Sequence, residues 1–152
     1  MGSDRSSWRP GDFKMESSAA GVLRMSGVCP AAYEGGPGIA HGGWIAAFFD
    51  ELLGQCVNAQ GPTALTGELS VRFVKPVPIG PRLVGAARVG LRAGRRRHAN
   101  GQLVLASSGA VLATASGIFV DARTDHYQRA AMWVLEQEAR AGAEPSTRPA
   151  DV

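Results

Sequence analysis

Several features typical of other protein classes are missing from this sequence of 152 residues. Its two cysteines, Cys29 and Cys56, form no CxxC pair, so we expect both to be reduced, small core residues without a disulfide. No stretch reaches the roughly 18 uninterrupted apolar residues of a membrane-spanning helix. The first residues, MGSDRSSWRPGDFK, contain no apolar run typical of a signal peptide. We therefore expect a cytoplasmic protein without a membrane partner.

Motifs of metal and serine enzymes are also missing. There are three histidines, scattered along the chain, with no HExxH motif and no Cys/His cluster, so no metal site is predicted. No GxSxG motif occurs, which argues against a serine hydrolase. The net charge of +3 is mild and comes mostly from the segment LRAGRRRHANG. Without a broader basic face, no nucleic-acid partner is expected.

The order of the predicted elements indicates an α+β domain. With 45% hydrophobic and 19% charged residues, the chain can bury a core of its own. Residues 42–58 have the length and apolar spacing of a helix, and the runs that follow alternate as in an antiparallel sheet with one buried face. We expect one long helix wrapped by a curled antiparallel sheet of about five to six strands. The predicted strands are 21–28, 64–74, 82–91, 102–108 and 111–120.

The chain ends are predicted to lie outside this domain. Residues 1–17 are polar and are expected to form a flexible segment, followed by the main domain over 18–122. Residues 123–152 are expected to contain an amphipathic helix over 125–141 and a loose tail.

The stretch HGGWIAAFFDELLG, residues 41–54, places two adjacent acids inside an apolar helix. On a helical wheel, the large apolar residues cover about half the circumference. Asp50 lies opposite them in a stripe of small residues, whereas Glu51 lies at a polar margin where a carboxylate stays hydrated. The stripe fits either close packing or a narrow ligand site into which Asp50 reaches. An unpaired carboxylate in an apolar stripe is costly, so Asp50 is a candidate for chemistry.

Two glycines at the start of this helix suggest a place for an anion. The first turn of a helix presents backbone N–H groups without internal partners, at the positive end of the helix dipole. Gly42 and Gly43 have no Cβ, so a carbonyl group could approach these N–H groups closely. A carboxylate two turns further along could then act on that carbonyl.

Three separated segments resemble one known family. GPGIAHGGWIAAFFDELLG is similar to the helix-initiating motif of hotdog-fold acyl-CoA thioesterases of the phenylacetate-degradation type, in which His-Gly-Gly precedes an acid nine residues after the His. TALTGELSVRFVKPVPIG, residues 63–80, resembles the family's next strand, and GAVLATASGIFVDA, residues 109–122, resembles its last strand. Together the resemblance covers roughly residues 20–122.

The resemblance implies a site that lies between two subunits. In this family two protomers pair edge to edge. The family's acid maps onto Asp50, as general base or nucleophile, and its oxyanion donor onto the N–H of Gly42, with Gly43 as a near alternative. His41 would shape the site, and Thr66 would be supplied from the partner subunit to position the attacking water or the acid.

Some assignments stay open at this stage. Some family members have Asn or Gln where this chain has Gly35, six residues before the His, and Glu51 is a second candidate for the acid. Trp44 is either core or a wall of the acyl pocket. The arginine cluster is either a solvated hairpin tip or a clamp for the phosphates of coenzyme A; the cluster comprises Arg92, Arg95, Arg96 and Arg97, of which the last three are the candidate substrate contacts.

The resemblance therefore implies a homodimer or a dimer of dimers that hydrolyses an acyl-CoA or an acyl-carrier thioester. No metal or organic cofactor is expected, because coenzyme A enters as part of the substrate. The alternative is a hotdog module that binds an acyl-CoA or another small molecule without catalysis, since fold and function are separable.

Overall fold

The computed structural model describes residues 13–17 and 21–143. The chain divides into two compact units, Met1–Asp121 and Ala122–Val152. The first unit contains six strands, a short 3₁₀ turn at Ala31–Tyr33 and helix α1, and the second contains helix α2. In chain order the elements are β1 (Lys14–Ser17), β2 (Val22–Gly27), α1 (Gly42–Asn58), β3 (Ala64–Phe73), β4 (Leu83–Ala93), β5 (Arg96–Leu105), β6 (Val111–Asp121) and α2 (His126–Ala143).

The six strands form one antiparallel sheet in the order β1-β2-β4-β5-β6-β3. The strands β1 and β3 are therefore its two edges. The sheet curls around α1, which packs against its inner face, and this is the hotdog arrangement expected from the sequence. The α+β fold class is confirmed.

The core lies between α1 and the inner face of the sheet. Eight residues of α1 are buried, and they are the large apolar residues that the helical wheel placed together, with Val57 from the opposite stripe added. Phe48 is fully buried, and a Cβ on Gly85 of β4 would lie 2.5 Å from its ring, so this glycine lets the aromatic ring reach the sheet. Each such side chain contributes roughly 1.5–3 kcal/mol by leaving water.

The two thiols are free and buried, as the sequence predicts. Burial raises the pKa of the Cys29 thiol to about 11 and also raises the pKa of Cys56, because a thiolate is poorly solvated in the core. Both residues therefore stay protonated near neutral pH and serve as packing residues.

The structure differs from the sequence prediction at two strands. Residues 14–17, at the end of the segment expected to be flexible, form β1 and pair with β2. The strand β5 begins at Arg96, six residues earlier than predicted, because Arg97 and Ala99 point into the core and extend the alternation into the arginine-rich stretch. Residues 1–12 and the predicted tail, 144–152, lie outside the described residues.

Helix α2 agrees with the amphipathic helix predicted over 125–141, and an ion pair of 4.0 Å joins Arg129 to Asp125 at its start. Among the residues that the structure describes, no helix is long and apolar enough to cross a membrane.

Candidate active site

The first turn of α1 is held by the side chain of His41. His41 is the N-cap residue, with extended backbone angles, and its Nδ1 accepts a hydrogen bond of 2.8 Å from the N–H of Gly43. An Nδ1 that accepts carries no proton, so the neutral ring has its hydrogen on Nε2. A Cβ on Gly43 would lie 3.0 Å from this Nδ1, so the absence of a side chain there makes room for the cap.

Because of this cap, the two candidate oxyanion donors differ in their hydrogen bonding. The N–H of Gly43 is already used by His41, whereas the N–H of Gly42 has no hydrogen-bond acceptor among the described residues. Gly42 lies beside the ring of Phe73, which would be 3.7 Å from a Cβ at this position. Of the two predicted donors, Gly42 therefore has the N–H available to a ligand. Phe73 was not among the site residues predicted from the sequence.

The loop before the helix explains why glycine occupies position 35. His41 donates its backbone N–H to the carbonyl of Tyr33 at 2.7 Å, and Gly35 donates to the carbonyl of Ile39 at 2.9 Å. A Cβ on Gly35 would lie 2.9 Å from the Cα of His41, closer than side-chain carbons approach backbone. An Asn or Gln at this position would need another loop path.

Asp50 and Thr66 are brought together by the pairing of α1 with β3. The Thr66 hydroxyl donates a 2.6 Å hydrogen bond to Oδ1 of Asp50, and both residues are exposed. A β-bulge between Thr66 and Glu68 leaves Gly67 without a partner on β6, and Thr66 is turned toward the helix. The family resemblance implied that Thr66 comes from a partner subunit, whereas in the structure Thr66 contacts Asp50 of its own chain.

Glu51 occupies the polar margin that the wheel predicted. Its Oε1 accepts a 2.6 Å hydrogen bond from Nε2 of Gln55, one turn further along the helix. The neighbouring acid is therefore engaged in a local contact, and Asp50 is the acid that points at a hydroxyl from another element.

Gly42 and Asp50 are too far apart to act on one carbonyl within one chain. They are eight residues apart on the same helix, which at roughly 1.5 Å per residue separates them by about 12 Å along the axis. A reacting group must lie about 3 Å from both its oxyanion donor and the attacking group. The short side chain of Asp50 does not span the difference.

The arginine cluster is largely structural. Arg97 is only 3% exposed. It donates to Oδ1 of Asp121 at 2.9 Å, to the carbonyl of Val57 at 2.9 Å and to the carbonyl of Pro62. The prediction that Arg97 contacts substrate is therefore wrong, and so is its assignment to a solvated hairpin tip, because its donors are used inside the protein.

The other members of the cluster lie at the exposed β4–β5 hairpin. Arg92 pairs with Oδ2 of Asp121 at 3.0 Å, and Arg95 donates to the backbone carbonyl of Asp121 at 2.7 Å. The Arg96 side chain has no hydrogen-bond or ion-pair partner among the described residues. Arg96 is thus the arginine of this hairpin whose guanidinium is fully available to a ligand.

Trp44 belongs to the core. Its side chain is 3% exposed and stacks on Phe48, with ring centroids 5.7 Å apart. The indole Nε1 is buried without a hydrogen-bond partner. This agrees with the core interpretation of Trp44 and gives no support to its assignment as a wall of a substrate pocket.

No group of three metal-binding side chains occurs within residues 13–17 and 21–143.

Comparison with known proteins identifies the family. The sequence model of the thioesterase superfamily matches residues 37–113, which contain the capped helix start, Asp50 and Thr66. The chain belongs to the thioesterase superfamily. This confirms the family that the sequence resemblance predicted, although it does not test the role of any single residue.

Solved structures of thioesterase relatives share the fold. A protein described as a thioesterase superfamily member is 29% identical, with a TM-score of 0.67, over 71% of this chain and 55% of that one. The chain thus spans about half the length of that relative. The PaaI protein of the Escherichia coli phenylacetic acid degradation operon is 19% identical, with a TM-score of 0.67, over 73% of this chain and 80% of that one.

A third similar structure contains a coenzyme A ester. It is a Streptococcus mutans protein bound to acetyl-CoA, 20% identical with a TM-score of 0.67, over 72% of this chain and 87% of that one. A PaaI protein of Thermus thermophilus, 23% identical, also shares the fold. The thioesterase superfamily protein described here therefore shares the fold of these structures.

Proposed function

We propose that this protein hydrolyses the thioester bond of an acyl-CoA, releasing the free acid and coenzyme A. Membership of the thioesterase superfamily supports the reaction class, and the acetyl-CoA bound to a structural relative supports the substrate class. Within the chain, the observation that carries the proposal is the 2.6 Å hydrogen bond between Thr66 and Asp50. It lies on the helix whose first N–H, that of Gly42, has no acceptor among the described residues.

The chemistry follows from these groups. The N–H of Gly42 holds the thioester oxygen and stabilises the negative charge that develops on it. Asp50 acts either as general base, taking a proton from water whose oxygen attacks the carbonyl carbon, or as nucleophile, forming an anhydride that water then cleaves. In the general-base route the carbon–sulfur bond breaks and protonated Asp50 returns its proton to the departing thiolate. In the nucleophilic route the thiolate leaves as the anhydride forms, and hydrolysis of the anhydride regenerates Asp50 and releases the acid and the proton that the thiolate takes up. Thr66 occupies one carboxylate oxygen and leaves the other for the reaction.

Two chains are needed to assemble this site. Because Gly42 and Asp50 of one chain are about 12 Å apart along α1, the oxyanion donor must come from a second copy. Asp50 and Thr66 of one protomer would then act on a carbonyl held by Gly42 of the partner subunit. In this assignment the partner subunit supplies the start of α1, and Thr66 comes from the same chain as Asp50. The proposed enzyme is therefore an obligate homodimer or a dimer of dimers.

The proposed contacts to coenzyme A are two arginines of the β4–β5 hairpin. The exposed guanidinium of Arg96, with Arg95 beside it, is suited to the phosphates of coenzyme A. Hydrolysis by a carboxylate and a backbone N–H requires no metal or organic cofactor, and we propose that none takes part.

Thiol release from a panel of short, medium, long and aromatic acyl-CoAs tests the proposal. Asp50→Asn keeps the shape of the side chain and should lower kcat by about 10²-fold or more, as loss of a positioned acid or base does. Glu51→Gln is the matched control on the next residue and should leave kcat within a factor of about three.

Other results would change the assignment. Turnover that survives Asp50→Asn and is lost in Glu51→Gln would move the acid by one residue. If no thioester is cleaved, although calorimetry detects acyl-CoA binding, the protein is a non-catalytic binding module.

A further inference from the structure

The outer face of the sheet, which points away from α1, contains an open cavity of about 350 Å³. It lies over the strands β2, β4, β5 and β6, between Arg24, Arg88, Asn100, Gln102 and Thr114. Among the described residues, neither a carboxylate nor an aromatic ring lines it. The cavity is therefore bounded by groups that donate hydrogen bonds, and two of these groups are positively charged.

Strand alternation and register place the two arginines side by side. The neighbours of Arg24 in β2 are buried in the core, and so is Ala87 beside Arg88, so both arginines point to the outer face. Arg24 is paired with Ala86 of β4, and Arg88 lies two residues further along that strand. Such diagonal neighbours have Cα atoms roughly 7–8 Å apart. Two long cationic side chains thus share one cavity.

The protein supplies no counter-charge to this pair. Arg24 and Arg88 are exposed, and neither forms an ion pair or a hydrogen bond among the described residues. The acid of the adjoining edge strand, Glu16, is already bonded to Arg82 at 2.5 Å. Like charges on neighbouring strands repel each other. An anion between the two guanidinium groups would remove this repulsion.

The floor between the arginines is a small side chain, Ala86. Its cross-strand partners are Arg24 on one side and Gln102 on the other. Neighbouring strands are about 4.8 Å apart, so these two longer side chains stand on either side of a gap of roughly 10 Å. Asn100 lies opposite Arg88 and adds a second amide. Guanidinium and amide donors therefore surround a single methyl group.

This set of donors fits a phosphoryl group. A guanidinium group donates two parallel hydrogen bonds to phosphate oxygens, and a side-chain amide donates through its NH₂. A phosphate ester carries close to two negative charges and three acceptor oxygens. The cavity offers no aromatic ring on which a base could stack, which disfavours single-stranded nucleic acid as the ligand.

We propose that the cavity bounded by Arg24, Arg88 and Gln102 around Ala86 binds the phosphoryl group of a small polar molecule. The site is separate from the proposed reaction, because α1 with Asp50 packs on the inner face of the sheet and the cavity lies on the outer face. The proposal therefore does not rest on the proposed function.

Calorimetric titration with inorganic phosphate and with glycerol 3-phosphate tests this site. At about pH 8 both are mainly dianions, and ionic strength is held constant with chloride so that general screening does not change. The wild type should show saturable binding at one site. Arg24→Gln and Arg88→Gln should each weaken it about tenfold or more, because each removes hydrogen bonds to a charged group. Absence of binding to the wild type at millimolar ligand would overturn the proposal.

Ala86→Leu tests the cavity without changing any charge. The longer side chain fills the floor between the donors, so we expect binding to be lost although both arginines remain. Ala86→Ser is the matched control, since its small side chain should retain binding. Wild-type affinity in Ala86→Leu would show that the ligand does not occupy this cavity and would overturn the proposal.

Arg72→Gln is the control for general charge effects. Arg72 is exposed on the outer face of β3 and lines a neighbouring cavity, in which it is the only arginine among the described residues. The variant has the same net charge as Arg24→Gln but keeps the arginine pair, so it should bind like the wild type. Equal weakening by Arg72→Gln and Arg24→Gln would show non-specific attraction and would overturn the site.

The two ligands distinguish the source of the phosphoryl group. Tighter binding of glycerol 3-phosphate than of phosphate, with the advantage lost in Asn100→Ala, would assign the site to a phosphate ester. Equal or weaker binding of the ester would assign it to inorganic phosphate. Both results support a phosphoryl site.

Unfolding experiments separate binding from a structural role of the arginine. Phosphate should raise the Tm of the wild type and not that of Arg24→Gln, because a ligand stabilises only the state that binds it. In phosphate-free buffer, Arg24→Gln should be at least as stable as the wild type, since one of two like charges is gone. Strong destabilisation of Arg24→Gln would show that the arginine serves the fold instead.

Thioester hydrolysis provides the last comparison. Arg24→Gln should leave kcat and KM for acyl-CoA unchanged. A rise in KM that matches the loss of phosphate binding would make the cavity part of the substrate site and would overturn a separate site. Phosphate binding by a protein that cleaves no thioester would support the cavity and refute the proposed function.

Discussion

The hydroxyl of Thr66 lies 2.6 Å from Oδ1 of Asp50, although the two residues are 16 positions apart and belong to different elements. The contact fixes the carboxylate in one orientation, because a side chain hydrogen-bonded from a rigid strand loses its freedom to rotate. One carboxylate oxygen is occupied, and the other remains for water or substrate. In the proposed reaction, Thr66 therefore positions Asp50 and does not itself react.

Replacing Thr66 separates positioning from packing. Thr66→Val keeps the shape of the side chain but removes the donor, and we expect kcat to fall about 10- to 100-fold, with KM for the acyl-CoA changed much less. Thr66→Ser restores the hydroxyl and should recover most of kcat. Because Thr66 is exposed, urea unfolding should show less than about 1 kcal/mol of change for either variant. Equal kcat values for the Val and Ser variants would show that the hydrogen bond has no role.

Helix periodicity made α1 the most predictable part of the chain. The large apolar residues and the small stripe are set by a repeat of 3.6 residues, so the helix bounds, the core face and the different settings of Asp50 and Glu51 could be predicted. The glycine at position 42 could be placed at the helix start for the same reason. The family resemblance named the N–H of Gly42 as the donor, with Gly43 as a near alternative. The helix pattern by itself does not decide between them, since the difference depends on the cap formed by His41.

The arginine-rich hairpin was predicted less well because its charges conceal the strand pattern. Arg97 alternates with Ala99 as an inner-face residue, but an arginine at an inner position is not expected unless its partners are known. Those partners are Asp121 and two carbonyls from distant parts of the chain. The subunit that supplies Thr66 was also beyond sequence reasoning, because the contact depends on a bulge in β3.

The cap formed by His41 should contribute measurable stability. His41→Ala removes the acceptor for the N–H of Gly43, and loss of an N-cap costs about 0.5–2 kcal/mol. His41→Asn supplies another good N-cap and should retain most of the stability in thermal or urea unfolding. Gly43→Ala should resemble His41→Ala, because its Cβ would lie 3.0 Å from Nδ1 and displace the ring.

The result that would contradict this account is a stable His41→Ala variant. If its free energy of unfolding equalled that of the wild type while Gly43→Ala was strongly destabilised, the helix start would depend on the space around Gly43 and not on the hydrogen bond.

Arg97 and Arg96 are adjacent but should behave in opposite ways. Arg97→Met removes the buried partner of the Asp121 carboxylate, which is only 14% exposed, and removes the donor to the carbonyl of Pro62. The carbonyl of Val57 loses one donor but still accepts from the N–H of Gln60. Breaking a buried pair from one side costs about 3–5 kcal/mol, so the Arg97→Met variant should unfold at a much lower urea concentration than the wild type.

Arg96→Met should unfold like the wild type. If Arg96 contacts the phosphates of coenzyme A, the KM of the Arg96→Met variant should rise for acyl-CoA. It should not rise for an acyl-pantetheine, which lacks the nucleotide. Equal KM changes for both substrates would remove Arg96 from the phosphate site, and a stable Arg97→Met protein would show that the buried network is not needed for the fold.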